Sequence, residues 1–256
     1  MRALLALIQK EIIEQLRSGK GMILGLLFLL FGIMNPAIAK LTPWLLEIMA
    51  DSLAESGMTV TEVTVTAMDS WMQFYKNIPM GLIAFALIES NIFTKEYETG
   101  TLILSLTKGL DHRQVVLSKT LVLGVLWTCA YWLCFGITYI YNAYFWDNAI
   151  AQNLMLSVIC WWIFGLWVVA LMIVFSSVAR TNSMVLLGTG GIVLLSYLLG
   201  LLPKCNDIFP TCLTDGNSLI YGLADPEAYT TALITAISSG ALCLILSIPL
   251  FHRKQL

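Results

Sequence analysis

Six long apolar runs, at 22–39, 78–93, 115–141, 154–179, 185–202 and 228–251, leave this chain little choice but a helical bundle in a bilayer. About 20 mostly apolar residues cross the hydrocarbon core as a helix. Inside lipid every backbone group must be bonded internally, which a helix achieves within its own segment. Composition agrees: 58% of residues are hydrophobic, 12% are charged and the mean hydropathy is +0.82, whereas soluble domains are about 25% charged. Six spans in 256 residues leave no room for a large soluble domain beside them. The expected fold is therefore an all-α polytopic membrane protein of about six transmembrane helices, one unit over 1–256. A net charge of −2 with no basic patch points away from nucleic acid as a partner.

The connecting segments fix the orientation. At 100° per residue Leu5, Ile8, Ile12 and Leu16 form one stripe and Lys10, Glu14 and Arg17 lie opposite, so 1–20 is expected to be an amphipathic helix on the membrane surface. Lys10, Glu11, Glu14 and Arg17 also interrupt the apolar core that a cleavable signal would need. Asn35-Pro36 predicts a kink near the far end of the first span. The polar, acidic stretch 40–77 reads as an outer loop with some structure of its own, and 203–227 as an outer or re-entrant segment. Six crossings put both termini on one side. The inner segments then hold eleven Lys and Arg residues against three in the outer ones, which makes the terminal side cytoplasmic. The location implied is a plasma or inner membrane.

Motifs for chemistry are missing from the sequence. It has no G-x-x-x-x-G-K-[ST] phosphate loop, no H-E-x-x-H, no C-x-x-C and no G-x-S-x-G, so neither catalytic nor metal-binding residues are assigned. His112 and His252 fall at inner helix ends, far apart in sequence, and read as interfacial residues. Cys129, Cys134, Cys160 and Cys243 lie in apolar runs and read as small buried hydrophobes.

The most informative segment is the inner loop, 94–114. It reads as a short helix across the cytoplasmic surface, interrupted at Gly100 and ending at Gly109-Leu110-Asp111. The pattern E-x-x-x-G-T-L runs from Glu96 to Leu102, followed by Leu104-Ser105-Leu106 and then by Arg113 and Lys119. With its position between the second and third of six spans, this pattern resembles the permease subunits of ABC-2-type transporters, over nearly the whole chain. One departure is Lys108-Gly109, where that family often has Pro. The resemblance implies a transmembrane half of an exporter working by alternating access, of prokaryotic origin, with no enzymatic activity and no cofactor of its own. ATP and Mg would sit on a separate ATPase subunit, which accounts for the missing phosphate loop. It further implies a second permease chain, identical or similar, and ATPase docking on the inner loop and the N-terminal helix. The coupling residues would be Glu96, Glu98, Gly100, Thr101, Lys108 and Arg113.

Other residues carry open alternatives. Glu89 lies near the inner end of the second run; it belongs to the transport path, or it reaches the interface or pairs with Lys95 or Arg180. Trp127, Tyr131, Phe135 and Tyr139 recur every four residues, as packing or as the lining of a route for apolar substrate. Gly21 and Gly25, with Gly188, Gly190 and Gly191, allow close helix approach, either within the chain or at a dimer interface. In the resembled family the first and fifth spans lie there. Cys205 and Cys212 bracket six residues and can close a disulfide on an oxidising side. Few charges inside the spans favour a hydrophobic or amphipathic cargo, such as a peptide, drug or lipid-like molecule, over a small ion. The competing reading is an ATPase-independent membrane enzyme or regulatory membrane protein.

Overall fold

The computed structural model describes residues 2–49, 64–94, 111–202 and 206–253. These fold into eight helices: α1 (Arg2–Arg17), α2 (Lys20–Ile48), α3 (Ala67–Glu89), α4 (His112–Phe145), α5 (Leu154–Val178), α6 (Asn182–Gly200), the short α7 (Gly216–Ile220) and α8 (Ala228–Arg253). No strand occurs among the described residues. Five of the helices, α2, α4, α5, α6 and α8, are long and apolar enough to cross a membrane, and the chain is a multi-pass α-helical membrane protein. The fivefold count departs from the six expected runs because α3 opens on a polar half that includes Asp69, Gln73, Lys76 and Asn77.

Two helices extend furthest beyond their apolar runs. α3 begins at Ala67, where Thr66 and Asp69 form a reciprocal capping box that satisfies backbone donors of the first turn. α2 continues past Ala39 to Ile48 through Pro36 and Pro43, so both ends of the stretch 40–77 are helical. Pro36 has no N–H to give the Gly32 carbonyl. The Thr138 hydroxyl of α4 donates to that carbonyl instead at 3.1 Å, Asn35 Nδ2 donates to Thr138 Oγ1 at 3.0 Å, and Asn77 Nδ2 donates to Asn35 Oδ1 at 2.7 Å. This chain of bonds joins α2, α3 and α4 and keeps α2 helical beyond the proline, which is how neighbouring helices compensate a lost donor in lipid.

α5 is the most buried span and packs chiefly on α8, with α4 and α6 beside it; α2 packs on α4 and α3, and α1 runs along α4. The core between these groups is aromatic. Trp127 and Tyr131 of α4 are fully buried, donating from Nε1 to the Trp162 carbonyl (3.1 Å) and from the hydroxyl to the Val158 carbonyl (2.8 Å). Gly165 of α5 makes room for this: a Cβ there would lie 2.1 Å from the Trp127 ring. The segment between α6 and α8 folds over the end of α5, with Leu213, Leu219 and Ile220 buried, Trp161 Nε1 donating to the Thr214 carbonyl, and Tyr229 donating to the Asp215 carbonyl.

Candidate functional site

The site is built where α3 ends. Residues 91–94 form a turn whose side chains and carbonyls each engage a different helix. Asn91 accepts from Lys20 of α2. The Ile92 carbonyl accepts from Lys119 Nζ of α4 at 3.0 Å. The Phe93 ring lies 5.3 Å from that of Phe251 near the end of α8, and the Thr94 hydroxyl bonds to Asn182 Oδ1 at the start of α6. Four helices are thereby tied to the four residues that precede the segment 95–110.

The other end of that segment returns to the same place. Asp111 caps α4 by accepting from Arg113 N at 3.1 Å. His112 packs against Phe251, with centroids 5.7 Å apart, and against His252 at 5.0 Å. The two histidines, far apart in sequence, are thus neighbours, and both ends of the loop meet the last turn of α8.

α1 is fastened to this turn from the side. Lys119 Nζ donates to Glu11 Oε1 (2.9 Å) and Oε2 (3.0 Å) as well as to Ile92, so three donors of a buried ammonium are matched to acceptors. One turn further along α1, Gln15 Nε2 donates to Glu89 Oε2 at 2.7 Å, and Lys20 Nζ lies 4.0 Å from the same oxygen. Glu89 is 0% exposed. Among the described residues its partners are Gln15 and Lys20; Arg180 is exposed, and Lys95 lies outside the described residues. A cavity of about 20 Å³ beside Gln15, Lys20 and Asn91 has room for one water.

α1 itself sits differently from its sequence pattern. Glu11 and Gln15 are buried, while Leu5, Ile12 and Leu16 of the apolar stripe are exposed. The polar pair faces the protein because Lys119 and Glu89 are there to meet it, and the stripe faces outward, where a bilayer can cover it. Glu11, Gln15 and Lys20 were not singled out by sequence reasoning. The available signal was Lys119, a second ionisable residue at the edge of an apolar run, which demands a partner as Glu89 does.

Of the loop residues, Glu96, Glu98, Gly100, Thr101 and Lys108 lie outside the described residues, as does Cys205; Arg113 is exposed on the first turn of α4. Trp127, Tyr131 and Phe135 are buried in the aromatic core. Among the glycines, Gly188 is filled from within the chain, since a Cβ there would lie 2.3 Å from Phe175 of α5, and Gly21 is near Gln15 and Leu126; Gly25, Gly190 and Gly191 have nothing within 4 Å. Cys212 is half-buried. Burial, with the nearby Asp207 and Asp215 carboxylates, pushes its thiol up to about 11.

Comparison with known families decides the assignment. The family described as ABC-2 family transporter protein matches residues 5–250. The chain belongs to that family. It is a membrane-embedded permease component of an ABC transporter, and residues 91–94 together with α1 lie beside the point where the segment 95–110 begins. Among curated proteins, none matches the chain.

Proposed function

We propose that the chain is the permease subunit of an ATP-driven exporter, with ATP hydrolysed by a separate ATPase that docks on the inner loop, 94–114, and on α1. The observation that carries this reading is the clamp at the loop's two ends. Residues 91–94 engage α2, α4, α6 and α8, Lys119 joins α1 to the same point, and His112 meets the end of α8. A push on the loop or on α1 would reach four of the five apolar helices directly. Packed interfaces of this kind shift between discrete arrangements rather than deforming smoothly.

In this reading Glu96, Glu98 and Lys108 pair with charges on the ATPase, Gly100 and Thr101 shape the docking turn, and Arg113 closes the loop at α4. Both termini are cytoplasmic, which requires α3 to cross the membrane as a sixth, less apolar span, and the membrane is a prokaryotic plasma or inner membrane. Gly25 and Gly191, on α2 and α6, where an added Cβ would meet nothing within 4 Å, belong to the contact with a second permease chain. The transported molecule is hydrophobic or amphipathic, and Glu89 acts as a fastening for α1 rather than as part of its route.

The test is purification of the tagged permease from its native membrane in mild detergent, with mass spectrometric identification of bound proteins. A P-loop ATPase recovered in about equal amount supports the reading. An abundant, monodisperse permease carrying no ATPase refutes it.

A further inference from the structure

A groove of about 650 Å³ opens between the start of α4 and the end of α8, lined by Asp111, His112, Arg113, Ile245, Ile248, Pro249 and His252. Its two halves differ in chemistry. The rim carries the Arg113 guanidinium and two imidazoles whose centroids are 5.0 Å apart. The floor is the outward face of a spanning helix, on which Ile245 is 65% exposed. Ile245 lies seven residues before His252, about 10 Å along the helix axis, so polar rim and apolar floor are stacked along the membrane normal.

We propose that this groove binds an anionic phospholipid, its phosphate at Arg113, His112 and His252 and one acyl chain along Ile245, Ile248 and Pro249. Three observations support that occupant. Among the described residues no side chain pairs with the Arg113 guanidinium. The Asp111 carboxylate, the one acid on the rim among the described residues, is turned to the Arg113 backbone N–H as a helix cap. The rim is also the N-terminus of a 34-residue helix, whose dipole favours an anion. A basic pocket between spanning helices, open to the bilayer, is the recognised geometry for anionic headgroups, and a floor on a spanning helix faces lipid rather than a soluble partner.

The proposal is independent of ATPase coupling, and its test uses the permease alone. Detergent-purified protein is titrated with phosphatidylglycerol or phosphatidylcholine of identical chains, and bound lipid is counted by native mass spectrometry. Wild type should retain phosphatidylglycerol about tenfold better. Arg113→Gln combined with His252→Ala should remove most of that preference, and Ile248→Trp, which fills the floor without touching charge, should weaken both lipids. Equal retention of the two lipids by wild type would overturn the proposal, as would an unchanged preference in the Arg113→Gln/His252→Ala variant. Displacement of the lipid by millimolar inorganic phosphate would show a simple anion site and equally overturn it. The wild-type comparison stands even if a variant fails to fold.

Discussion

Replacing Lys119 by Met removes a buried cation while nearly keeping its length. It deletes three hydrogen bonds, two to Glu11 and one to the Ile92 carbonyl, and leaves the Glu11 carboxylate, 5% exposed, with the solvent-facing Lys10 ammonium at 3.5 Å in place of the buried one. Breaking a buried pair from one side costs about 3–5 kcal/mol. At 1.4 kcal/mol per tenfold, this shifts the equilibrium between docked and undocked α1 by roughly 10²–10⁴-fold. Hydrogen–deuterium exchange reads that equilibrium directly, because local opening controls amide exchange. Amides of α1 around Glu11 should exchange faster in Lys119→Met by about that factor, while those of α5 stay unchanged. Adding Glu11→Leu should restore much of the protection, since an apolar pair of similar volume is often as stable as the buried ion pair it replaces. Exchange in Lys119→Met within threefold of wild type would refute the reasoning, and so would a double variant whose loss is the sum of the two single ones.

Gly165→Leu places side-chain atoms where the Trp127 ring already lies; overpacking costs about 1–3 kcal/mol, so a lower melting temperature is expected by scanning fluorimetry, partly recovered by Trp127→Leu. At pH 7 a Cys212 thiol near 11 is thiolate in roughly one molecule in 10⁴. Maleimide labelling of Cys212 should therefore be slow and rise about tenfold per pH unit, whereas a bond to Cys205 would block it at every pH until a reductant is added. Reporter fusions after Lys108 and Leu256 should both report cytoplasm, and those near Glu55 and Asn148 the outside; opposite readings for Lys108 and Leu256 would mean that the two positions lie on opposite sides.

The apolar runs made the spans legible, because burial in lipid acts on composition alone. Hydropathy placed α2, α4, α5, α6 and α8 well, yet it missed the first eleven residues of α3, Ala67–Asn77, which are polar and depend on a cap at Thr66. It also missed the extension of α2 through Pro43. Prolines normally end helices, but here Thr138 meets the carbonyl that Pro36 leaves open, a contact between residues 106 apart. The site was half legible for the same reason. Glu89 stood out as an acid in an apolar run, but its partner Gln15 is 74 residues away on another helix, and no local pattern encodes that pairing. The meeting of His112 with His252 is likewise a product of topology. The stripe on α1 was visible, whereas its facing was not, since which side meets the protein depends on Lys119.

Coupling between the loop and an ATPase is tested most directly in proteoliposomes holding the permease and its ATPase, by measuring ATP hydrolysis and substrate movement together. Glu98→Lys and Gly100→Leu change the loop, where loss of a buried charged partner costs about 2–5 kcal/mol, and Glu55→Lys serves as the control far from it in sequence. The account predicts that both loop variants insert at normal abundance, bind the ATPase weakly, and lose stimulated hydrolysis and transport in parallel, with the control unaffected. Loop variants that bind and stimulate the ATPase as fully as Glu55→Lys does would contradict it.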